Sequence, residues 1–123
     1  MKVFAFQPYQ LSPMQHAAQA FHVGVEFTKK HYHKNKSAKR WADRDKTVII
    51  KSGGTFPDVE DIFKLFKSRQ NSFPFAEFRE PDIFNHITSV AICVPARIYK
   101  HYKAENDFEK ELISLLKRTK LAG

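Results

Sequence analysis

Apolar positions along the chain change period several times, and each change marks an element. Residues 2–7 of "KVFAFQPY" are short, apolar and bounded by Pro8, which is the pattern of a strand buried on both faces. A helix is predicted next. Ser12 can accept from the backbone amide near Gln15, Pro13 suits the first helical position, and Gln15 completes a Ser-x-x-Gln capping box. Met14, Ala17, Ala18, Phe21 and Val25 recur at helical spacing and predict the side turned to a core, with the helix fading near His31. Asn35, Lys36 and Ser37 mark a basic loop. After it, "KTVIIKS", with Val48, Ile49 and Ile50 in a continuous run, predicts a second strand ended by Gly53 and Gly54. Thr55 as N-cap, Pro57 and Asp58 in the first turn, and Val59, Ile62, Phe63 and Phe66 on one side predict a second helix stopping near Gln70.

"FPFAEFRE" alternates imperfectly and predicts a third strand, at an edge because it contains Pro74. Beyond the turn "EPDIFNHI", the unbroken Val90, Ala91, Ile92, Cys93 and Val94 of residues 88–95 predict a fully covered strand. A terminal helix carries Glu105, Asp107 and Glu109 at its start and Lys117, Arg118 and Lys120 at its end, matching the helix dipole. Phe108, Leu112, Leu115 and Leu116 make its buried stripe. The order β-α-β-α-β-β-α implies an α/β fold, three-layer α/β/α, around a four-stranded mixed sheet. At 123 residues the chain suits a single domain over 1–123.

Composition narrows the function. With 42% hydrophobic and 28% charged residues and twelve phenylalanines, the chain has the make-up of a globular protein. Its one cysteine, Cys93, excludes an intrachain disulfide framework and a cysteine metal cluster. No stretch approaches the roughly 20 apolar residues that span a bilayer, and the start lacks a signal-peptide pattern, so no membrane partner and a cytoplasmic setting are expected. The net charge of +8 and pI near 9.7 predict a polyanionic partner, tRNA or another RNA. Much of that charge lies in residues 29–46, where Tyr32 and Trp41 are interleaved with Lys34, Lys36, Lys39, Arg40 and Lys46. This segment reads equally as a solvated loop and as a phosphate-contacting patch. There is no Gly-x-Gly-x-x-Gly, no Walker loop and no His-x-x-x-His pair with a carboxylate, so neither cofactor nor metal is expected.

Two stretches concentrate chemistry. Gln15, Gln19 and His22 fall at i, i+4 and i+7, a polar stripe beginning at a helix N-terminus, where the dipole and free amides favour a phosphate or a developing oxyanion. A Gln-rich solvent face would show the same spacing. The turn "FREPDIFNHIT" packs Arg79, Glu80, Asp82, Asn85, His86 and Thr88 between two apolar strands, more functional groups than a tight turn needs. Pro81 and Asp82 also have an explanation as turn formers.

The N-terminal strand, "AAQ-x-x-H" (Ala17, Ala18, Gln19, His22), the "KTVIIK" strand, and "FRE" running into "TSVAICVP" together resemble the type 2 peptidyl-tRNA hydrolase family over roughly residues 2–95. Within it the likeness is to divergent phage or bacterial members with a Glu-Pro-Asp turn. The resemblance implies a mixed four-stranded sheet between helices, often dimeric, that hydrolyses the ester joining a peptide to the tRNA ribose. A homodimer is therefore expected as well. Gln15, Gln19, His22 and Glu80 become the candidate catalytic set, with His22 or Glu80 accepting a proton from water. Arg79, Asp82, Asn85 and Thr88 become the candidate substrate-binding set. Gln19, His22 and Thr88 match family positions. Gln15 stands where the family has a lysine, and Arg79-Glu80 where it has Arg-Asp. Without that lysine, either Arg79, His16 or Lys46 supplies the cation, or hydrolysis is lost and an RNA- or nucleotide-binding protein remains.

Overall fold

The computed structural model describes residues 1–122. Strands β1 (Lys2–Pro8) and β4 (His86–Val94) form the centre of the sheet, and all of their residues except Lys2 and His86 are buried. The order is β2-β1-β4-β3, with β2 (Val48–Gly54) and β3 (Phe75–Glu80) at the edges. β1 pairs parallel with β2 and antiparallel with β4, and β4 pairs antiparallel with β3. Three strands therefore run one way and β4 alone runs back, so the carboxyl ends of β1, β2 and β3 share one edge of the sheet.

Alternation along the central strands divides two apolar clusters between the sheet's faces. Val3, Ala5, Ala91 and Cys93 pack with Val23 and Phe27 of helix α1 (Pro13–His31), with Ala38 of the short α2 (Lys36–Arg40) and with Trp41. Phe4, Phe6, Ile92 and Val94 pack with Val59, Ile62, Phe63 and Phe66 of α3 (Phe56–Phe66). Ile98 of α4 (Ala96–Tyr99) and Phe108, Leu112, Leu115 and Leu116 of α5 (Asp107–Arg118) complete that second cluster. Helices thus cover both faces of a mixed four-stranded sheet, the predicted α/β arrangement.

The local signals set these elements well. Ser12 with Gln15 and Thr55 with Asp58 both form complete capping boxes. α3 ends at Phe66, four residues before Gln70, because the Asn71 side chain donates to the Phe66 carbonyl (2.8 Å) and turns the chain. Glu109, predicted to belong to an acidic helix start, is 1% exposed. It accepts from the Arg97 guanidinium (2.5 Å) and from the Glu105 backbone amide (3.0 Å), so it ties α4 to α5. The tail beyond α5 has a structural task. Ser52 N–H donates to the Lys120 carbonyl (2.8 Å) and Ala122 N–H to the Ile50 carbonyl (2.9 Å), which covers the outer edge of β2.

Two expectations fail. Residues 29–46 are not a loop: after α1 ends, α2 and a π-helical turn (Trp41–Asp45) bury Ala38 and Trp41, and the Trp41 indole donates to the Thr47 carbonyl (2.8 Å). The side of α1 predicted to face the core faces out, with Met14 85%, Phe21 72% and Val25 44% exposed and Ala17 and Ala18 exposed as well. His16, Gln19, Val23 and Phe27 are buried instead. The reason lies across the interface, where the sheet presents Gln7, Thr88 and Ser89, all fully buried, to α1. Packing Met14 and Phe21 there would strand those polar groups at a cost of about 1–3 kcal/mol each, whereas His16 and Gln19 satisfy them.

Candidate functional site

The edge formed by the carboxyl ends of β1, β2 and β3 also holds the start of α1 and the turn from β3 to β4. This is the place where α/β sheets present ligands. A bulge shapes it. Phe78 pairs with Ser89 but Arg79 with Ile87, leaving Thr88 as the extra residue, so Thr88 and Ser89 both reach toward α1 while Ile87 and Val90 join the cluster on the other face.

Three predicted residues meet there. The Thr88 hydroxyl donates to Gln19 Oε1 (2.6 Å), and Gln19 Nε2 donates to Glu80 Oε2 (3.3 Å). Gln19 is 8% exposed and Thr88 fully buried, while Glu80 is only half-buried and keeps access to water. The other Glu80 oxygen accepts from the Asp82 backbone amide (3.4 Å), which aims the carboxylate back at α1. Phe84 and Asn85 follow with φ of 53° and 58°, left-handed values uncommon for any residue but glycine, and the Phe84 ring is 90% exposed. Backbone outliers of this kind concentrate at functional turns.

The side chains of the remaining members of the predicted set are exposed or engaged with other partners. Gln15 is exposed, and its side-chain oxygen accepts from Ser12 N–H (2.8 Å), so the amide expected to orient a substrate closes the capping box. His22 is exposed and stacks on Phe78 at 4.7 Å. Arg79 and Glu80, adjacent in sequence, point to opposite faces of the sheet. Arg79 pairs with Glu60 of α3 (2.9 Å), lies 3.6 Å from Glu77 and donates to the Asn85 carbonyl (3.2 Å). Asp82 and Asn85 are exposed and enter the turn through their backbone amides, that of Asn85 reaching the Glu80 carbonyl (3.1 Å).

None of the three cations named as substitutes for the missing lysine reaches the Gln19–Glu80 pair. Arg79 is on the far face. Lys46 precedes β2 beside Val3, seven β4 residues from the Glu80 register, or roughly 20 Å along the sheet. His16 is held neutral, because burial pushes its pKa below the ordinary histidine value.

His16 belongs to a second buried network that sequence reasoning missed. Gln7 Nε2 donates to the His16 carbonyl (3.1 Å) and to the Ser89 hydroxyl (3.2 Å), so Gln7 Oε1 must be the acceptor of the His16 Nδ1 proton (2.6 Å). That assignment leaves the lone pair on His16 Nε2, and His16 lines a cavity of about 420 Å³ with Leu11, Ser52 and Lys120. The available signal was Gln7 itself, a single amide closing an otherwise apolar buried strand.

The predicted phosphate contacts lie on α2 and around the π-helical turn. Lys34, Lys36, Lys39, Arg40 and Lys46 are all exposed; Lys39 sits 5.5 Å above the Tyr32 ring, and Arg40 is 3.7 Å from Asp45. Among the described residues no helix is long and apolar enough to cross a membrane. No protein-family model matches the chain, and no curated protein matches it.

Proposed function

We propose that this protein is an ester hydrolase of the peptidyl-tRNA type, in which Glu80 accepts a proton from the attacking water and Gln19 and Thr88 hold Glu80 and the substrate edge in register. One observation carries the reading: residues separated by 61 and 69 positions in the chain, and picked out from two different segments, converge on a single amide at the sheet edge. A half-buried carboxylate with two fixed hydrogen-bond donors, Gln19 Nε2 and the Asp82 backbone amide, and access to solvent is suited to general-base work. The net charge of +8 suits a polyanionic substrate.

A second reading, an RNA-binding protein that keeps the fold without the chemistry, is favoured by the placement of Gln15 in the capping box and by the distance of Lys46 and Arg79 from Glu80. The test is release of the peptide from N-blocked aminoacyl-tRNA. Wild type is expected to release it, and Glu80→Gln to lower the rate by about 10²–10⁴-fold, the usual worth of a general base. Equal release by both would remove Glu80 from the reaction. Absence of release by wild type, with RNA still bound, would establish the second reading.

A further inference from the structure

Gly24 stands in the middle of α1, where glycine weakens a helix relative to almost any other residue. The packing of the protein does not require it: a Cβ built there meets no atom within 4 Å. The space it leaves is the floor of an open groove of about 660 Å³, flanked on α1 by the exposed Phe21 and Val25. The opposite wall comes from the segment after α1. Tyr32 and Trp41 line it, with Trp41 held edge-on against Phe27 (centroids 5.5 Å apart, planes at 86°).

Cations outnumber carboxylates around this groove. Lys29 and Lys46 line it, and no aspartate or glutamate does. The two acids of the adjoining segment are engaged. Asp43 accepts from the Tyr32 hydroxyl (2.8 Å), and Asp45 lies 3.1 Å from the N-terminal ammonium and 3.7 Å from Arg40. An apolar floor, exposed aromatic surface and a cation-rich rim, with Asp43 held on the Tyr32 hydroxyl, complement a strand of bases and phosphates.

We propose that this groove binds unpaired nucleotides of an RNA, with a base against Phe21, Val25 and the bare backbone at Gly24 and the phosphates toward Lys29 and Lys46. The proposal rests on the RNA-binding half of the function above and not on the hydrolysis. It extends the contact surface from the basic segment to the outward side of α1, and it gives the missing side chain at position 24 a purpose.

Trp41 is the only tryptophan, so its fluorescence reports on the groove. The experiment is a titration with a single-stranded RNA octamer carrying no ester, using wild type, Gly24→Leu and Phe21→Ser. Wild type is expected to bind with a change in Trp41 emission, whereas Gly24→Leu and Phe21→Ser weaken binding by about tenfold or more, the worth of one stacked base. Gly24→Leu is expected to melt at or above the wild-type temperature, since leucine is the better helix former, so its loss of affinity cannot be a loss of fold. Octamer binding that both groove variants retain overturns the proposal and leaves the apolar face to a protein partner. Absence of octamer binding by wild type overturns it together with the RNA reading. Hydrolysis is scored in the separate release assay, and its absence alongside groove-dependent binding removes only the esterase.

Discussion

Buried polar side chains decide how α1 lies on the sheet, and each works only because its partner is present. Gln19 is satisfied at both ends, accepting from Thr88 and donating to Glu80, and His16 is satisfied at Nδ1 by Gln7. His16 gives a pH signature with a definite sign. Burial lowers its folded pKa from the value near 6.5 that it has when unfolded, so the folded state resists protonation. The resulting stability is fully present above pH 6.5 and is lost as pH falls through the folded value. Thermal melts of wild type between pH 8 and pH 5 are expected to fall below about 6.5, and His16→Asn, which keeps a donor toward Gln7 but does not titrate, to flatten that fall. Parallel profiles for the two proteins would show that His16 does not contribute to the dependence. These residues were not legible as a network. Gln7 and Ser89 are 82 positions apart, and no local pattern distinguishes a glutamine that ends a buried strand from one that begins a loop.

At the scale of elements, capping boxes, apolar stripes and buried runs locate most of the structure. Thr55 and the Val59, Ile62, Phe63, Phe66 stripe of α3 lie where the spacing predicts, and so do the covered strand β4 and the stripe of α5. The spacing in α1 misleads because the helix carries two candidate stripes. Met14, Phe21 and Val25 compete with Val23 and Phe27, and spacing alone does not choose between them. Tertiary contacts also give Glu109 a second role. Its hydrogen bond from Arg97 holds its carboxyl below the usual glutamate range, so the stability it contributes is present above about pH 4.5 and lost as pH falls below that. Glu109→Gln is expected to lower the urea-unfolding free energy by about 2 kcal/mol at pH 7, with the gap to wild type narrowing as pH falls through the lowered folded value. A gap with no pH dependence anywhere below about pH 4.5 would assign the loss to packing and not to the charge on Glu109.

Across the whole molecule, a net charge of +8 sits on a fold whose predicted phosphate contacts lie on and beside α2 and the π-helical turn, with Lys46 among them lining the α1 groove. If those residues touch RNA, the logarithm of the binding constant must fall linearly with the logarithm of salt. Replacing Lys34, Lys36, Lys39 and Lys46 by glutamine is expected to reduce that slope by about 0.7 for each single-strand phosphate that is no longer neutralised. An unchanged slope would place the phosphates on another face. The sequence by itself determined the order of the main elements, their caps, the two fully covered strands and the chain's excess of positive charge, because each depends on neighbouring residues or on a sum over the chain. The tertiary structure alone decided which side of α1 is buried, that Arg79 and Glu80 part to opposite faces, and that Gln19 is the amide that meets Glu80. Those outcomes depend on which polar groups find partners across the sheet, and on a one-residue bulge that turns Thr88 toward Gln19, and neither is written in the spacing of any single segment.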